Sequence, residues 1–543
     1  MLFEYRYFGN SHVDSGPGSS GLSFAPDTRR EPTFFRGQLG QKLQFRECIS
    51  ALHDVVASDL RFRPKDRSQY LAWRAQQDEV DLVELAAARK DVKKKMEDAR
   101  AELNDLRRKQ TKRGSVFYKT RQKYFNWLFK KNYDAWFVLD PVVTVHPDEV
   151  FFECFSQDES SYGRVGVNYN VFEELGDFSC GTTNVDYSSA LYDEFQKIRE
   201  YKATSLEVDP GGFNVATTGE AAYREVKIDL PDTWVRGFLQ VSSAMTLPAT
   251  AIQLHPMDLH NLCFVLRRKR EKVGPRSLRF VLEPGKPVKV RIEPFGIEQV
   301  CARSLYMGSS AQEIRVWGRR RLHVLERLIP VAKSFTVLLL GTGMPSFWIA
   351  DCGDVRFTLG LSGWTANDWS SSGNFDLLAP RAEVDSDTSQ RVFTALCQEW
   401  RASTAELANT LNLDRGTVES ALVQWTQNGR VMFDVDKGLW RRRELTAEPL
   451  PMDSLRFSND RERAAVALLP RVQQLKSNRV DGRITISAHI GRERPELTLD
   501  VDQRIKQGTC TCSFFFQNRL RLGPCEHILA ARLALSRRQE VGS

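Results

Sequence analysis

The tightest constraint on this chain lies near its carboxyl end, where Cys510-Thr511-Cys512 is followed, after twelve residues, by Cys525-Glu526-His527. Free cysteines rarely gather beside a histidine without a metal or redox role. Zinc favours four soft or borderline donors in a tetrahedron, and three thiolates with one imidazole make a closed site of the structural type. The expectation is therefore Zn2+ held by Cys510, Cys512, Cys525 and His527, with a redox pair as the competing reading. The flanks suit such a chelate. Arg483 to His489 and Glu496 to Asp502 read as two strands, and Gly523-Pro524 opens a helix carrying Ile528, Leu529, Leu533 and Leu535. The ion would pin hairpin to helix in a ββα unit too small to depend on its core alone. The remaining cysteines, Cys48, Cys154, Cys180, Cys263, Cys301, Cys352 and Cys397, are scattered singly, as small core residues in a reducing compartment are.

A Cys-x-Cys pair followed by Cys-x-His in a hairpin-then-helix setting resembles the SWIM zinc finger, here over about residues 480 to 537. That resemblance implies a module that binds DNA or docks protein. In the middle of the chain, Val316-Trp317-Gly318-Arg319-Arg320-Arg321, Gly341-Thr342-Gly343-Met344-Pro345-Ser346-Phe347 and Gly360-Leu361-Ser362-Gly363-Trp364-Thr365 are similar to segments of bacterial SWIM-finger proteins of comparable size. Some of those are linked with MoxR-type AAA+ ATPases and von Willebrand A-type proteins in conflict or defence systems, which the resemblance implies as protein partners. This chain carries no ATPase motif of its own. Gly341-Thr342-Gly343 lacks the spacing of a dinucleotide or triphosphate loop and reads as a hairpin connection.

With 543 residues, 41% of them hydrophobic and 27% charged, the chain is long enough for several globular domains. Its longest apolar runs, such as Phe335 to Leu340, fall far short of the ~18 residues that a membrane span needs, and no secretory signal opens it. No membrane association is expected, and the default location is cytoplasmic. The expected class is α+β multidomain. Residues 1–33, rich in Gly, Ser and Pro, read as a flexible segment. Residues 34–135 read as a helical, basic coiled-coil arm, residues 136–384 as a β-rich α+β middle domain, residues 385–446 as a winged helix, and residues 450–543 as the SWIM domain.

The arm rests on Leu82, Leu85, Val92, Met96, Ala99, Leu103 and Leu106 at alternating steps of three and four, broken by Arg89. Leu43, Ile49, Val56 and Leu60 supply an antiparallel partner helix, unless the seam self-associates. Arg89 to Lys131 holds sixteen basic residues against five acidic ones, a net +11 where the whole chain has +8. Its end mixes Phe117, Tyr118, Tyr124, Phe125 and Trp127 with lysines, which can stack on nucleic-acid bases, although charge-rich coiled-coil flanks favour a solvated helix face with its rings turned inward.

The winged-helix expectation rests on local signals. Arg391 to Trp400 reads as a helix, Ser403-Thr404-Ala405-Glu406 has capping-box form before Thr404 to Leu411, and Asp414 caps a helix with Val418, Ala421, Leu422 and Trp425 on one stripe. Val431 to Val435 and Leu439 to Glu444 form the hairpin wing. In the DNA-binding version, Arg415, Thr417 and Gln424 face the groove and Arg441, Arg442 and Arg443 face the backbone. In the protein-docking version they do not, and Glu419 on the same face would repel phosphate. Around the metal, Arg504, Lys506, Arg519 and Arg521 complete the expected nucleic-acid contacts. The function expected is a zinc-binding, non-enzymatic, DNA-binding adaptor of a bacterial multi-protein system. The alternative is a protein-interaction scaffold with purely structural zinc. A filled Cys3His set leaves no position for water or substrate, so an enzyme is not expected.

Overall fold

The computed structural model describes residues 12–15, 19–24, 33–58, 141–184, 195–196, 198–201, 203–208, 232–270, 276–363, 369, 384–445, 460–480, 483–500, 505–521 and 523–541. It is a mixed α+β structure built on several sheets with mainly antiparallel pairing. None of its helices is long and apolar enough to cross a membrane. The seam from Leu82 to Leu106 and the aromatic-basic run after it lie outside the described residues.

An eight-stranded sheet organises the largest core. Its order is Thr250–Leu254, Ser334–Leu339, Ser346–Asp351, Val355–Leu361, Ser161–Asn168, Glu149–Phe155, Val142–Val145 and Gly181–Asn184. Two stretches distant in sequence meet at its centre, where Phe357 pairs with Val165 and Leu359 with Gly163. Between them the chain builds a separate four-stranded sheet from Leu278–Leu282, Pro287–Ile292, Ile297–Leu305 and Gln312–Val316. Gly341 and Gly343 do sit in a hairpin connection, both at positive φ, joining Ser334–Leu339 to Ser346–Asp351.

Glu149–Phe155 is buried at every position, which a strand covered on one face alone would not be. On the Cys154 side lies helix Lys42–Ala57. Its Phe45, Cys48, Ile49, Leu52, Val55 and Val56 are all buried, and a Cβ on Gly163 would come within 3.0 Å of Leu52 Cδ1. On the Phe155 side, helix Asp232–Met245 lays Trp234 and Phe238 on the Phe155 ring at centroid separations of 5.6 and 4.7 Å. Helix Lys42–Ala57 is thus a core element of the sheet, and the seam expected to pair with it lies outside the described residues. The helix's apolar repeat is that of any amphipathic helix, so periodicity does not distinguish the two roles.

The amino-terminal expectation is also corrected. His12–Ser15 and Ser19–Phe24 are strands of a five-stranded sheet that continues through Ala203–Val208, Phe35–Leu39 and Phe172–Leu175. Arg319–Leu328 is a 3-10 helix throughout. Asp385 and Asp387 stand at the start of helix Ser386–Glu399, with the Asp385 carboxylate accepting from Thr388 N at 2.9 Å.

Residues 386–442 follow the expected order closely. Helices Thr404–Leu411 and Arg415–Gln427 begin at Ser403 and Asp414, and the reciprocal Ser403–Glu406 box is formed. Val431–Asp434 and Leu439–Arg442 form a hairpin with the short strand Arg401–Ala402 alongside. Phe393 stacks on Trp425 at 4.0 Å within their common core.

Candidate metal centre and basic surfaces

The carboxyl-terminal region is a four-stranded antiparallel sheet, Val472–Val480, Arg483–Ile490, Glu496–Leu499 and Ile505–Thr509. Alternation puts Ile484, Ile486, Ala488 and Ile490 on one face, against helix Glu526–Val541 with its buried Ile528, Ala531 and Leu535. Two further helices, Asp460–Leu468 and Ser513–Asn518, complete the unit.

The four candidate ligands come from three places in that scaffold. Cys510 follows the edge strand Ile505–Thr509, Cys512 caps helix Ser513–Asn518 by accepting from Phe515 N at 3.4 Å, and Cys525 and His527 bracket the start of the last helix. Their donor atoms lie within 4.8 Å of one another, and this group could hold a metal ion. Cys512 and Cys525 are buried and the other two half-buried.

Two features of the tetrad match an ion. The buried Nδ1 of His527 has no hydrogen-bond partner, the Glu526 carboxylate standing 3.6 Å off. Buried polar atoms are rarely left that way. The thiols meanwhile crowd on one another. The Cys510 thiol donating to Cys525 pulls the Cys525 pKa down to about 4, with His527 adding to the effect, while the same bond pushes Cys510 up. The Cys525 thiolate in turn raises His527. Three sulfurs and an imidazole this close, with one thiol acidified by its neighbours, have the chemistry of a metal-thiolate centre.

Thr511, between the paired cysteines, is tied to the turn joining Arg483–Ile490 to Glu496–Leu499. Its hydroxyl accepts from Arg494 N at 3.0 Å and donates to the Glu493 carboxylate. That turn presents Arg492 and Arg494 to solvent, two cations the sequence reading passed over. Lys506, Arg519 and Arg521 are exposed as expected, and Arg504 lies outside the described residues. Of the three adjacent phenylalanines, Phe515 is buried, Phe514 lies beneath Arg461 at 5.0 Å, and Phe516 is 76% exposed.

The hairpin arginines tell the opposite story. Arg441 has no exposed surface. It grips Asp148 with both terminal nitrogens at 2.8 and 3.1 Å, reaches Glu149 at 3.1 Å and donates Nε to Asp434 at 2.8 Å. Arg443 is buried against Glu153 at 3.0 and 3.2 Å and donates to Ser242 Oγ at 2.8 Å. Only Arg442 reaches the surface. It pairs with Glu444 at 2.9 Å and lies over Trp400 at 4.7 Å. The expectation that Arg441 and Arg443 touch nucleic acid is therefore wrong: a phosphate would have to displace buried carboxylates, leaving those carboxylates unpaired.

These contacts join the hairpin to the main sheet. Arg164 in the sheet bonds Glu149 at 2.5 Å and Asp434 at 3.3 Å, and Lys437 bonds Glu149 at 2.8 Å. Burial raises the cost of charging Asp434, yet Arg164 and Arg441 outweigh it and hold its pKa down to about 2. His146 sits in the same junction, its Nε2 2.7 Å from the Arg442 carbonyl, and burial with the neighbouring Arg441 lowers it to about 4. It is neutral at ordinary pH.

Helix Arg415–Gln427 is likewise committed to packing. It contacts Ser386–Glu399, Thr404–Leu411 and Asp232–Met245, and Ser420, Val423 and Thr426 are buried. Thr417 donates to its own cap Asp414, and Gln424 accepts from Ser389 at 3.2 Å. Arg415 and Glu419 are its exposed side chains in the groove-facing set.

No known protein family matches the chain, and no curated protein matches it. Among solved structures, proliferating cell nuclear antigen from Entamoeba histolytica is similar at TM-score 0.34 and 8% identity, over 60% of this chain and 98% of that one.

Proposed function

We propose that this chain is a non-enzymatic adaptor whose carboxyl-terminal domain is a SWIM-type zinc module that contacts DNA through its phosphates. What supports this is the join between the tetrad and the basic surface. Zn2+ on Cys510, Cys512, Cys525 and His527 fixes the Thr511 loop, and through it the turn bearing Arg492 and Arg494, beside exposed Lys506, Arg519 and Arg521. The ion supplies a cross-link, and the protein's cations supply the affinity. The segment 385–446 serves in this reading as a winged-helix-like brace. Its hairpin is locked to the sheet by Arg441 and Arg443, and Arg415 is left as its one cation on the groove-facing side.

Fluorescence anisotropy with labelled duplex and single-stranded DNA across a salt titration tests the proposal. Affinity should fall steeply as salt rises, because each neutralised phosphate releases counterions. Absence of binding at low salt would reject it. A protein-interaction scaffold is the second reading, favoured by the exposed Phe516 ring. MoxR-type ATPases and von Willebrand A-type proteins are partners consistent with it. A stable protein partner that survives nuclease treatment, with no DNA retained, would select that reading.

A further inference from the structure

A second group of metal donors lies far from the tetrad in sequence, where helix Pro256–Arg268 packs on the 3-10 helix Arg319–Leu328. Ten residues is long for a 3-10 helix, since runs beyond three or four are uncommon. Its three-residue repeat eclipses positions i and i+3, which sets His323 directly over Glu326. His323 Nδ1 and Glu326 Oε1 are 2.5 Å apart. Opposite them, Cys263 is fully buried on the α-helix, its thiol 3.8 Å from the Leu322 carbonyl. One turn further on the same face, Arg267 takes the other carboxylate oxygen, Oε2, at 3.2 Å and so orients Oε1 toward the histidine.

We propose that Cys263, His323 and Glu326 form a second divalent-metal site, selective for zinc or a zinc-like ion and open at one coordination position. One ligand atom from each residue lies within 4.8 Å of the other two, without any acidic cluster around them. A sulfur, a nitrogen and a single oxygen make a borderline set, which suits zinc or cobalt and not magnesium or calcium, whose sites are built from oxygens. Three protein donors leave one position for water or an exogenous ligand. The exposure is arranged for that. Cys263 closes the inner side, while the His323 and Glu326 side chains are 34% and 22% exposed. On binding, the ion takes the place of the proton shared by His323 and Glu326 and of the Cys263 thiol proton, and both protons leave to solvent.

The site does not rest on the tetrad, and the test separates them. Full-length protein is equilibrated with zinc alone, freed of loosely held metal, and its zinc content measured for the parent, His323→Ala, Cys263→Ser and Cys525→Ser. The expected result is that His323→Ala and Cys263→Ser each lose one equivalent relative to the parent, whether the parent holds two or, with an empty tetrad, one. Cys525→Ser should keep the equivalent that His323→Ala lacks. His323 is partly exposed, so His323→Ala tests the site even where Cys263→Ser fails to fold. Cobalt loaded into Cys525→Ser should give a thiolate-to-metal absorption band that His323→Ala in the same background removes. Equal zinc content in the parent and His323→Ala, or a cobalt band indifferent to that change, overturns the proposal.

Discussion

The hairpin around Arg441 and the loops around Cys510 carry the same sequence signal, a cluster of arginines beside aromatic residues, and the fold uses them in opposite ways. At the hairpin the cations point inward to carboxylates of a distant sheet, and at the metal centre they point outward from a turn and a short helix. The difference lies in what stands opposite. Asp148, Glu149 and Glu153 precede Arg441 and Arg443 by some 290 residues, as the separations of 293 and 290 show. Among the described residues, no such carboxylate is paired with Lys506, Arg519 or Arg521. Arginine density alone therefore does not mark a nucleic-acid surface.

Breaking each region should show that contrast. The largest effect is expected at the metal. Cys525→Ser or a strong chelator would remove the proposed zinc ion, and in comparable structural sites such an ion contributes about 10–16 kcal/mol to folding. Proteolysis followed by mass spectrometry should then cut within residues 460–541 while the eight-stranded sheet stays protected. Next comes Arg441→Ala, which takes the shared cation from Asp148, Glu149 and Asp434, leaves Arg164 and Lys437 among their remaining partners, and should cost about 3–5 kcal/mol in a denaturant titration. Protection intact at residues 460–541 after Cys525→Ser, or an Arg441→Ala loss below about 1 kcal/mol, would erase the distinction between a metal-held and an ion-pair-held region.

Acid sharpens the comparison. His146 has its pKa depressed to about 4 by burial and by Arg441, so the folded state binds fewer protons than the unfolded one below the ordinary histidine value. Its contribution is fully present above about pH 6.5 and is lost as the pH falls toward about 4, up to roughly 3 kcal/mol over that window. Asp434, held down to about 2, adds a second loss below its ordinary value near pH 3.8. His146→Gln should flatten the upper part of that profile. An unchanged pH dependence between 6.5 and 4 would show that the histidine is not the titrating group. The smallest change in stability is expected from the pair Arg519→Ala and Arg521→Ala, within about 0.5 kcal/mol because both side chains are exposed. Their salt slope for DNA should nevertheless fall by about one to two. If stability drops and the slope does not, these residues are structural.

What the sequence made legible was local. The tetrad is a spacing of four residues, and its donors do converge. The capping box at Ser403 and the cap at Asp414 are contacts over three residues or fewer, and both form as read. What stayed hidden depends on remote partners. Ser19–Phe24 looks like a Gly-Ser linker until it is paired, in parallel, with Ala203–Val208. Helix Lys42–Ala57 has an apolar stripe that fits a coiled coil or a sheet equally well, and only the covered sheet decides. The Arg492-Glu493-Arg494 turn was readable as charge, but its place beside the metal rests on the Thr511 contact across 17 residues.

The proposed function stands or falls with a zinc ion held by three sulfurs and one imidazole in the carboxyl-terminal domain. Zinc X-ray absorption on full-length protein carrying His323→Ala, so that the second proposed site does not contribute, tests it most directly. One zinc per chain is expected, with three sulfur neighbours at about 2.3 Å and one nitrogen at about 2.0–2.1 Å. A shell of nitrogen and oxygen alone, or protein purified under reductant without zinc, would contradict it.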